Sequence, residues 1–211
     1  MEINWLGHSC FRLRGREGVV VSDPFSKQAG YEWSRPRADI VTVSHEHDNH
    51  NQSERVAGEP RVIRGPGEYE IKNIFLTGIA SFHDNKKGAE RGKNTIYLIE
   101  FDDLKICHLG DLGHVLTQAQ TEALNDLDVL LIPVGGDSTI HAGQAVEVIS
   151  QLEPHIVIPM HYQTKAYKGD KLDDLDKFLK EMGLKKVEEQ ENLKLTKSNV
   201  PEEMQVVVLK C

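Results

Sequence analysis

An α/β fold of two packed sheets with helices outside them is what the sequence predicts, and three observations carry the prediction. Short β-rich runs dominate the first half of the chain. In the second half the hydrophobic period changes, and helical stretches alternate with buried strands. No low-complexity segment or linker interrupts the 211 residues, so one domain over residues 1–211 is expected.

In chain order, strands are predicted at Ile3–Leu6, Cys10–Leu13, Val19–Ser22, Ile40–Ser44, Arg61–Ile63, Ile74–Ser81, Thr95–Phe101 and Lys105–Leu109. Gly and Asp punctuate them as hairpin turns require, at Arg14-Gly15, Pro66-Gly67 and Asp102-Asp103. A short helix follows at Thr117–Leu124, a buried strand at Val129–Val134 and an amphipathic helix at Gly143–Leu152. Ile156–Pro159 reads as another buried strand. Lys171–Met182 reads as a helix, because Leu172, Leu175, Phe178 and Leu179 form one apolar stripe. Leu193–Thr196 and Gln205–Leu209 are the closing strands.

Composition narrows the function. Apolar residues make up 39% of the chain, enough for a sizeable core. No apolar run approaches the roughly 20 residues of a membrane helix, so no membrane partner is expected. The opening MEINWLGHSC has neither a basic n-region nor an apolar h-region, which predicts a cytoplasmic protein. Cys10, Cys107 and Cys211 fit no CxxC pattern and suit a reducing compartment. The formal net charge of -8 argues against nucleic acid as a partner. A homo-oligomer is compatible with all of these features.

Histidine is the compositional outlier, with ten residues, and its placement is informative. The run Ile40–Ser44 leads into His45 and His47. Ile74–Ser81 leads into His83, Lys105–Leu109 contains His108 and leads into Asp111, and Ile156–Pro159 leads into His161. Four β runs therefore deliver metal-competent side chains just past their apolar residues, where rigid strands position loops that carry chemistry. Within SHEHDNH, His45 and His47 share a face in extended backbone. His50 is out of step with both strand and helix periods, so the chain turns before it. That spacing suits two histidines on one ion and a third reaching a second. A single histidine after a strand is more often a surface residue; three within six positions favour a metal. Nitrogen and carboxylate donors suit Zn²⁺ best, with Mn²⁺, Fe²⁺, Co²⁺ or Ni²⁺ as alternatives.

SHEHDNH resembles the HxHxDH signature of the metallo-β-lactamase superfamily. The other motifs come in the expected order: Asp23 in VVVSDPF, His83 in SFHD, Asp111 in HLGDLG and His161 in PMHY. INWLGHSCFRL, GPGEYEI, RGKNTIYLIE, LLIPVGG and VIPMHY resemble the compact hydrolase branch related to L-ascorbate-6-phosphate lactonase. The resemblance covers nearly the whole chain. It implies a four-layer αβ/βα sandwich with the site at one edge between the sheets. It implies a first metal on His45, His47 and His83, a bridging Asp111, and a second metal on His50 and His161 plus the aspartate of the signature. That aspartate is absent here; its place is taken by Asn49. An amide brings only a dipole, so the second site is expected to bind its ion less tightly.

The reaction that follows is hydrolysis by a metal-bound hydroxide, since a bound water has its pKa lowered to about 7. Asp111 would orient metals and water, with Asn49 beside it. His8, in the turn after the first strand, is a candidate proton donor at the site mouth; a backbone-bonded turn histidine is the competing reading. Lys86, Lys87, Arg91 and Lys93 form a cationic cluster next to His83. They point to a small anionic substrate (ester, lactone or phosphodiester) or else to a solvated loop. Arg91, Asn94 and Thr139 are the candidate substrate-binding residues, with Thr139 equally readable as part of a strand-to-helix turn. His141 is a helix-start residue or a group approaching the site. Two alternatives stay open: a nuclease or phosphodiesterase on RNA or cyclic nucleotides, and a non-catalytic metal-binding protein with a degraded second site at Asn49.

Overall fold

The computed structural model describes all 211 residues. The first half is a run of strands: β1 (Glu2–Gly7), β2 (Cys10–Arg14), β3 (Val19–Ser22), β4 (Ile40–Val43), β5 (Arg61–Arg64), β6 (Gly67–Ile71), β7 (Ile74–Phe82), β8 (Lys93–Phe101) and β9 (Leu104–His108). Helices then alternate with strands: α1 (Gln118–Ala123), β10 (Val129–Pro133), α2 (Ala142–Leu152), β11 (Ile156–Met160) and α3 (Leu175–Glu181). Four two-residue strands close the chain: β12 (Glu189–Gln190), β13 (Leu193–Lys194), β14 (Gln205–Val206) and β15 (Val208–Leu209).

Two sheets result. One has six strands in the order β13-β1-β2-β3-β4-β5, the other seven in the order β14-β11-β10-β9-β8-β7-β6. Each changes direction partway across. β1 to β3 run antiparallel and β3 to β5 parallel. β6 to β9 run antiparallel, and β9, β10, β11 and β14 parallel. The parallel halves carry the loops after β4, β9, β10 and β11, and strand-end loops of that kind are where sheet proteins place ligands.

Period-two alternation assigns the faces. Leu13, Val20 and Ile40 join a core shared with Ile74, Ile96 and Ile99 of the second sheet. Val21, Val41 and Val43 face the other way, onto Phe25, Ala29 and Tyr31. An aromatic-rich loop with a 3₁₀ turn at Lys27–Ala29 thus covers this outer face, where no α-helix lies. On the second sheet the strands β10 and β11 are buried throughout, as expected when both faces are covered.

Some expected elements move. GPGEYEI is more than a turn: it forms β6, pairing with β7 from Gly67↔Gly78 to Ile71↔Ile74. The expected helix from Lys171 begins only at Leu175, after the N-cap Asp174. The preceding residues are spent on docking: Asp173 N donates to Gly135 O at 2.8 Å and Leu172 N to Gln163 Oε1 at 3.3 Å. Leu172 is buried by that loop, so its place in the apolar stripe did not require a helix. Gln205–Leu209 divides between β14 on the seven-stranded sheet and β15, which pairs with β12. No helix is long and apolar enough to cross a membrane.

Candidate metal centre

The strand ends converge. β4 delivers His45, His47 and His50; β7 delivers His83; the turn after β9 delivers Asp111; the residue after β11 is His161. Close approach demands small residues at the crossings. A Cβ on Gly113 would lie 2.4 Å from the His83 carbonyl carbon, and one on Gly135 would lie 2.1 Å from His161 O. Only glycine lets these turns seat against the ligand-bearing backbone.

Asp111 is the hub. Its Oδ2 lies 3.2 Å from His50 Nε2, 3.2 Å from His161 Nε2, 3.3 Å from His83 Nε2 and 3.8 Å from His45 Nε2. Asp111 is 2% exposed, as buried as His50 and His83 beside it. Burial pushes its carboxyl upward, but His161 and His50 outweigh that and hold it well below the usual carboxylate range. Ser9 Oγ donates to the other oxygen at 3.4 Å.

A second carboxylate fixes the imidazoles from behind. Asp23 accepts from Ser44 N at 2.8 Å and from Ser44 Oγ. His50 Nδ1 lies 2.9 Å from Asp23 Oδ2, and His45 Nδ1 lies 2.9 Å from Ser44 Oγ. Both histidines therefore present Nε2 inward, the tautomer logic of a carboxylate behind a metal-binding imidazole. His45 Nε2 is buried without a partner, and so are His83 Nδ1, His161 Nδ1 and His8 Nδ1. Buried polar atoms are normally paired, and the unpartnered His45 Nε2, which faces Asp111, is what a cation-binding donor set would show. The donors fall into overlapping groups: His45 with His47 and His83, and His50 with His161 and His8.

The structure brings together all six expected metal ligands, His45, His47, His50, His83, Asp111 and His161. It does not bring in Asn49. The chain turns after His47, with His50 N donating to His47 O at 2.9 Å, and Asn49 Oδ1 accepts from Ser26 Oγ at 2.8 Å. The side chain is spent on bracing the neighbouring loop, which corrects its placement at the reacting groups. His8 is also corrected. It is 1% exposed and does not reach an open mouth. Burial, then His161 and His50, hold its pKa well below the ordinary value and disfavour the imidazolium form that a proton donor needs.

Asn94 is not free for substrate. Its Nδ2 donates to Ser81 Oγ at 2.8 Å and to Leu109 O at 2.9 Å, while Oδ1 accepts from Asp111 N at 3.0 Å. Thr139 Oγ1 donates to Gly136 O and Ile140 O, the turn alternative. His141 caps α2 in a capping box with Gln144. Arg91 does stand at the site. With Lys93, Arg64, His45 and His47 it lines a cavity of about 720 Å³. Lys86 pairs with Glu90, and neither Lys86 nor Lys87 lines the cavity. The loop carrying Arg91 is shaped by Asp84, which sequence reasoning passed over. Its carboxylate accepts from the backbone N–H of Arg91 first and of Gly88, Lys86 and Glu90 as well, and these hold its pKa at about 2. An acidic residue followed by Gly-rich polar chain was the available signal.

The metal-free protein has a predictable pH response. His50 is penalised by burial, yet Asp111 and Asp23 raise its pKa to about 10. That contribution to stability is complete below the unfolded value of about 6.5 and is lost as pH rises toward 10. His8 and His45 are lowered, chiefly by burial, so theirs is complete above about 6.5 and is lost as pH falls below it. Chelated protein should therefore be most resistant to urea near pH 6.5–7, with the unfolding midpoint falling on both sides. A midpoint still rising from pH 7 to 9.5 would contradict the His50 pairing.

Comparison with known proteins places the chain. It belongs to the β-lactamase superfamily: the model described as "Beta-lactamase superfamily domain" matches residues 2–161. Among solved structures it is similar to a candidate Zn-dependent hydrolase of the metallo-β-lactamase superfamily from Thermotoga maritima. The two are 40% identical, with 99% of this chain and 97% of that one covered and a TM-score of 0.81. It is also similar to a UPF0173 protein of Pyrococcus furiosus, at 28% identity over 89% of this chain and 93% of the relative. A UPF0173 metal-dependent hydrolase of Pyrococcus horikoshii is 26% identical over 78% of this chain and 85% of its own length. The two sheets packed face to face are the metallo-β-lactamase fold expected from the sequence.

Proposed function

We propose that this protein is a metal-dependent hydrolase of a small anionic ester, lactone or phosphodiester, using Zn²⁺ in the cytoplasm. One observation carries the reading: a buried carboxylate, Asp111, sits among four inward-facing imidazoles, two of them hydrogen-bonded through Nδ1 to the Asp23–Ser44 network. A divalent ion held there supplies Lewis-acid polarisation of a carbonyl or phosphoryl group and lowers the pKa of water to about 7. His45, His47 and His83 would hold one ion, with Asp111 shared between it and a second near His50 and His161. Arg91 and Lys93 would orient an anionic group from the cavity wall, and the Asp84-organised loop keeps Arg91 over the opening. Arg91 Nη2 is 3.9 Å from Asp137 Oδ2 and 42% exposed, a loose pairing that a substrate anion can displace.

The test is a panel of lactones, phosphodiesters and carboxylate esters, with a neutral analogue of each, assayed on zinc-loaded protein. His45→Ala should remove activity. Arg91→Ala should raise KM for the anionic member about tenfold, roughly 1.4 kcal/mol, and leave the neutral one within twofold. Equal KM changes on both would remove Arg91 from substrate binding. No turnover of any class by metal-loaded protein would favour a non-catalytic metal-binding protein.

A further inference from the structure

The residue at the second site that needs explaining is His8, because nothing in the chain's own packing accounts for a histidine there. It lies in the β1–β2 turn, where Gly7 has φ of +112° and His8 itself +52°. A left-handed histidine is a sparsely populated state that persists when its surroundings over-determine it. Here they do. His8 O accepts from Trp5 Nε1 at 2.9 Å and from His161 N at 3.1 Å, tying the turn to the end of β11. The ring lies between Tyr167, stacked with centroids 5.0 Å apart, and His161, 4.2 Å away; His50 is 4.9 Å away.

Its Nδ1 is buried and unpartnered, an arrangement that costs stability unless something binds there. An apolar ring of similar size would fill the space without that cost. The ligand atoms of His8, His50 and His161 all lie within 4.8 Å of one another, and the last two also flank Asp111 Oδ2. Asn49, which occupies the signature's carboxylate position, is turned to Ser26.

We propose that His8 supplies the missing donor of the second metal site, replacing the carboxylate that Asn49 cannot provide. His8, His50, His161 and Asp111 then make a three-nitrogen, one-oxygen set, enough for a four-coordinate ion. Such a set favours Zn²⁺, Co²⁺ or Ni²⁺ over Mg²⁺ or Ca²⁺. The assignment rests on the metal-centre reading above and changes one part of it. The second site is complete rather than degraded, and the substitution at position 49 is offset by a residue from the β1–β2 turn of the same sheet.

The test is equilibrium titration of chelated protein with Co²⁺, followed by visible absorption, and with Zn²⁺ against a chromophoric chelator. Wild type should bind two ions. His8→Asn is the decisive variant, since asparagine tolerates left-handed backbone and keeps the turn. It should retain one site and weaken the other by at least about 100-fold, the upper range for losing even an outer-shell partner. Asn49→Ala should bind both ions as wild type does. His8→Asp, which restores a charged donor on an equally tolerant backbone, should recover the second site. The unfolding midpoint of each metal-free variant separates loss of a ligand from loss of the fold. Two sites of wild-type affinity in His8→Asn, loss of the second site in Asn49→Ala, or a single ion in wild type would each overturn the assignment. Wild type binding no ion at all would instead defeat the metal reading of the whole cluster.

Discussion

Replacing Asp111 by asparagine is expected to lower kcat/KM by about 10³-fold or more on any substrate the enzyme turns over, the order of effect for a preorganised electrostatic group. The reason is its position between imidazoles from three different loops: its Oδ2 contacts the Nε2 of His50, His83 and His161 within 3.3 Å. Asparagine keeps the shape, so packing is preserved. It removes the negative charge, and its amide turns an N–H toward nitrogens that must keep their lone pairs for a cation. Metal content should fall with activity, and the Co²⁺ spectrum should change at both sites, because this carboxylate borders both groups. A second signature follows in metal-free protein. Asp111 is the largest favourable influence on protonated His50. Without it the alkaline loss of stability should begin at lower pH and shrink, since only Asp23 remains to hold the proton. Less than a tenfold loss of kcat/KM, with metal content unchanged, would place Asp111 outside the reacting centre.

The sequence exposed the half of this site that depends on strand ends. Apolar runs mark where β4, β7, β9 and β11 stop, and the residues just past them are the ones the fold gathers. That logic needs no knowledge of how the sheets pack. His8 was harder, because a histidine in a hairpin turn looks the same whether it faces water or a buried cluster. Its inward course is set by contacts with Trp5, Tyr167 and the backbone of His161, which lie up to 159 positions away in the chain. Asn49 failed in the opposite sense. Its motif position was clear, but the turn from His47 to His50 and the path of the loop carrying Ser26 decide where the amide points. The outer cover of the first sheet shows the same limit: Phe25, Tyr31 and Trp33 carry no period, so nothing local revealed that a loop would do a helix's work there. Leu172 kept its expected burial without the expected helix, since a hydrophobic stripe reports what is covered and not the backbone that covers it.

Asn94→Ala should destabilise the protein by about 3 kcal/mol and lower kcat, while leaving KM nearly unchanged. The magnitude comes from the groups it abandons. Leu109 O loses a donor and Asp111 N an acceptor, both in a buried setting, and each such orphan costs about 1–3 kcal/mol. Ser81 Oγ still donates to the backbone carbonyl of residue 94, so the damage is confined to the β9 side. That side matters because the same amide bridges β8 to the turn that presents Asp111. Gly110 in this turn has φ of +58°, and a Cβ there would lie 2.4 Å from Asn94 Oδ1, so the turn and the amide are fitted to one another. Releasing the amide should let Asp111 drift from the imidazoles, and a displacement near 1 Å at a reacting group can cost about 100-fold in rate. A substrate-contacting asparagine would behave differently: truncation would raise KM and leave thermal stability close to wild type. Calorimetry and steady-state kinetics on the same variant therefore separate the two roles. A midpoint shift under roughly 2 °C with a tenfold rise in KM would return Asn94 to the substrate, whereas a fall of roughly 5–10 °C with KM preserved identifies it as the residue that holds the carboxylate in place.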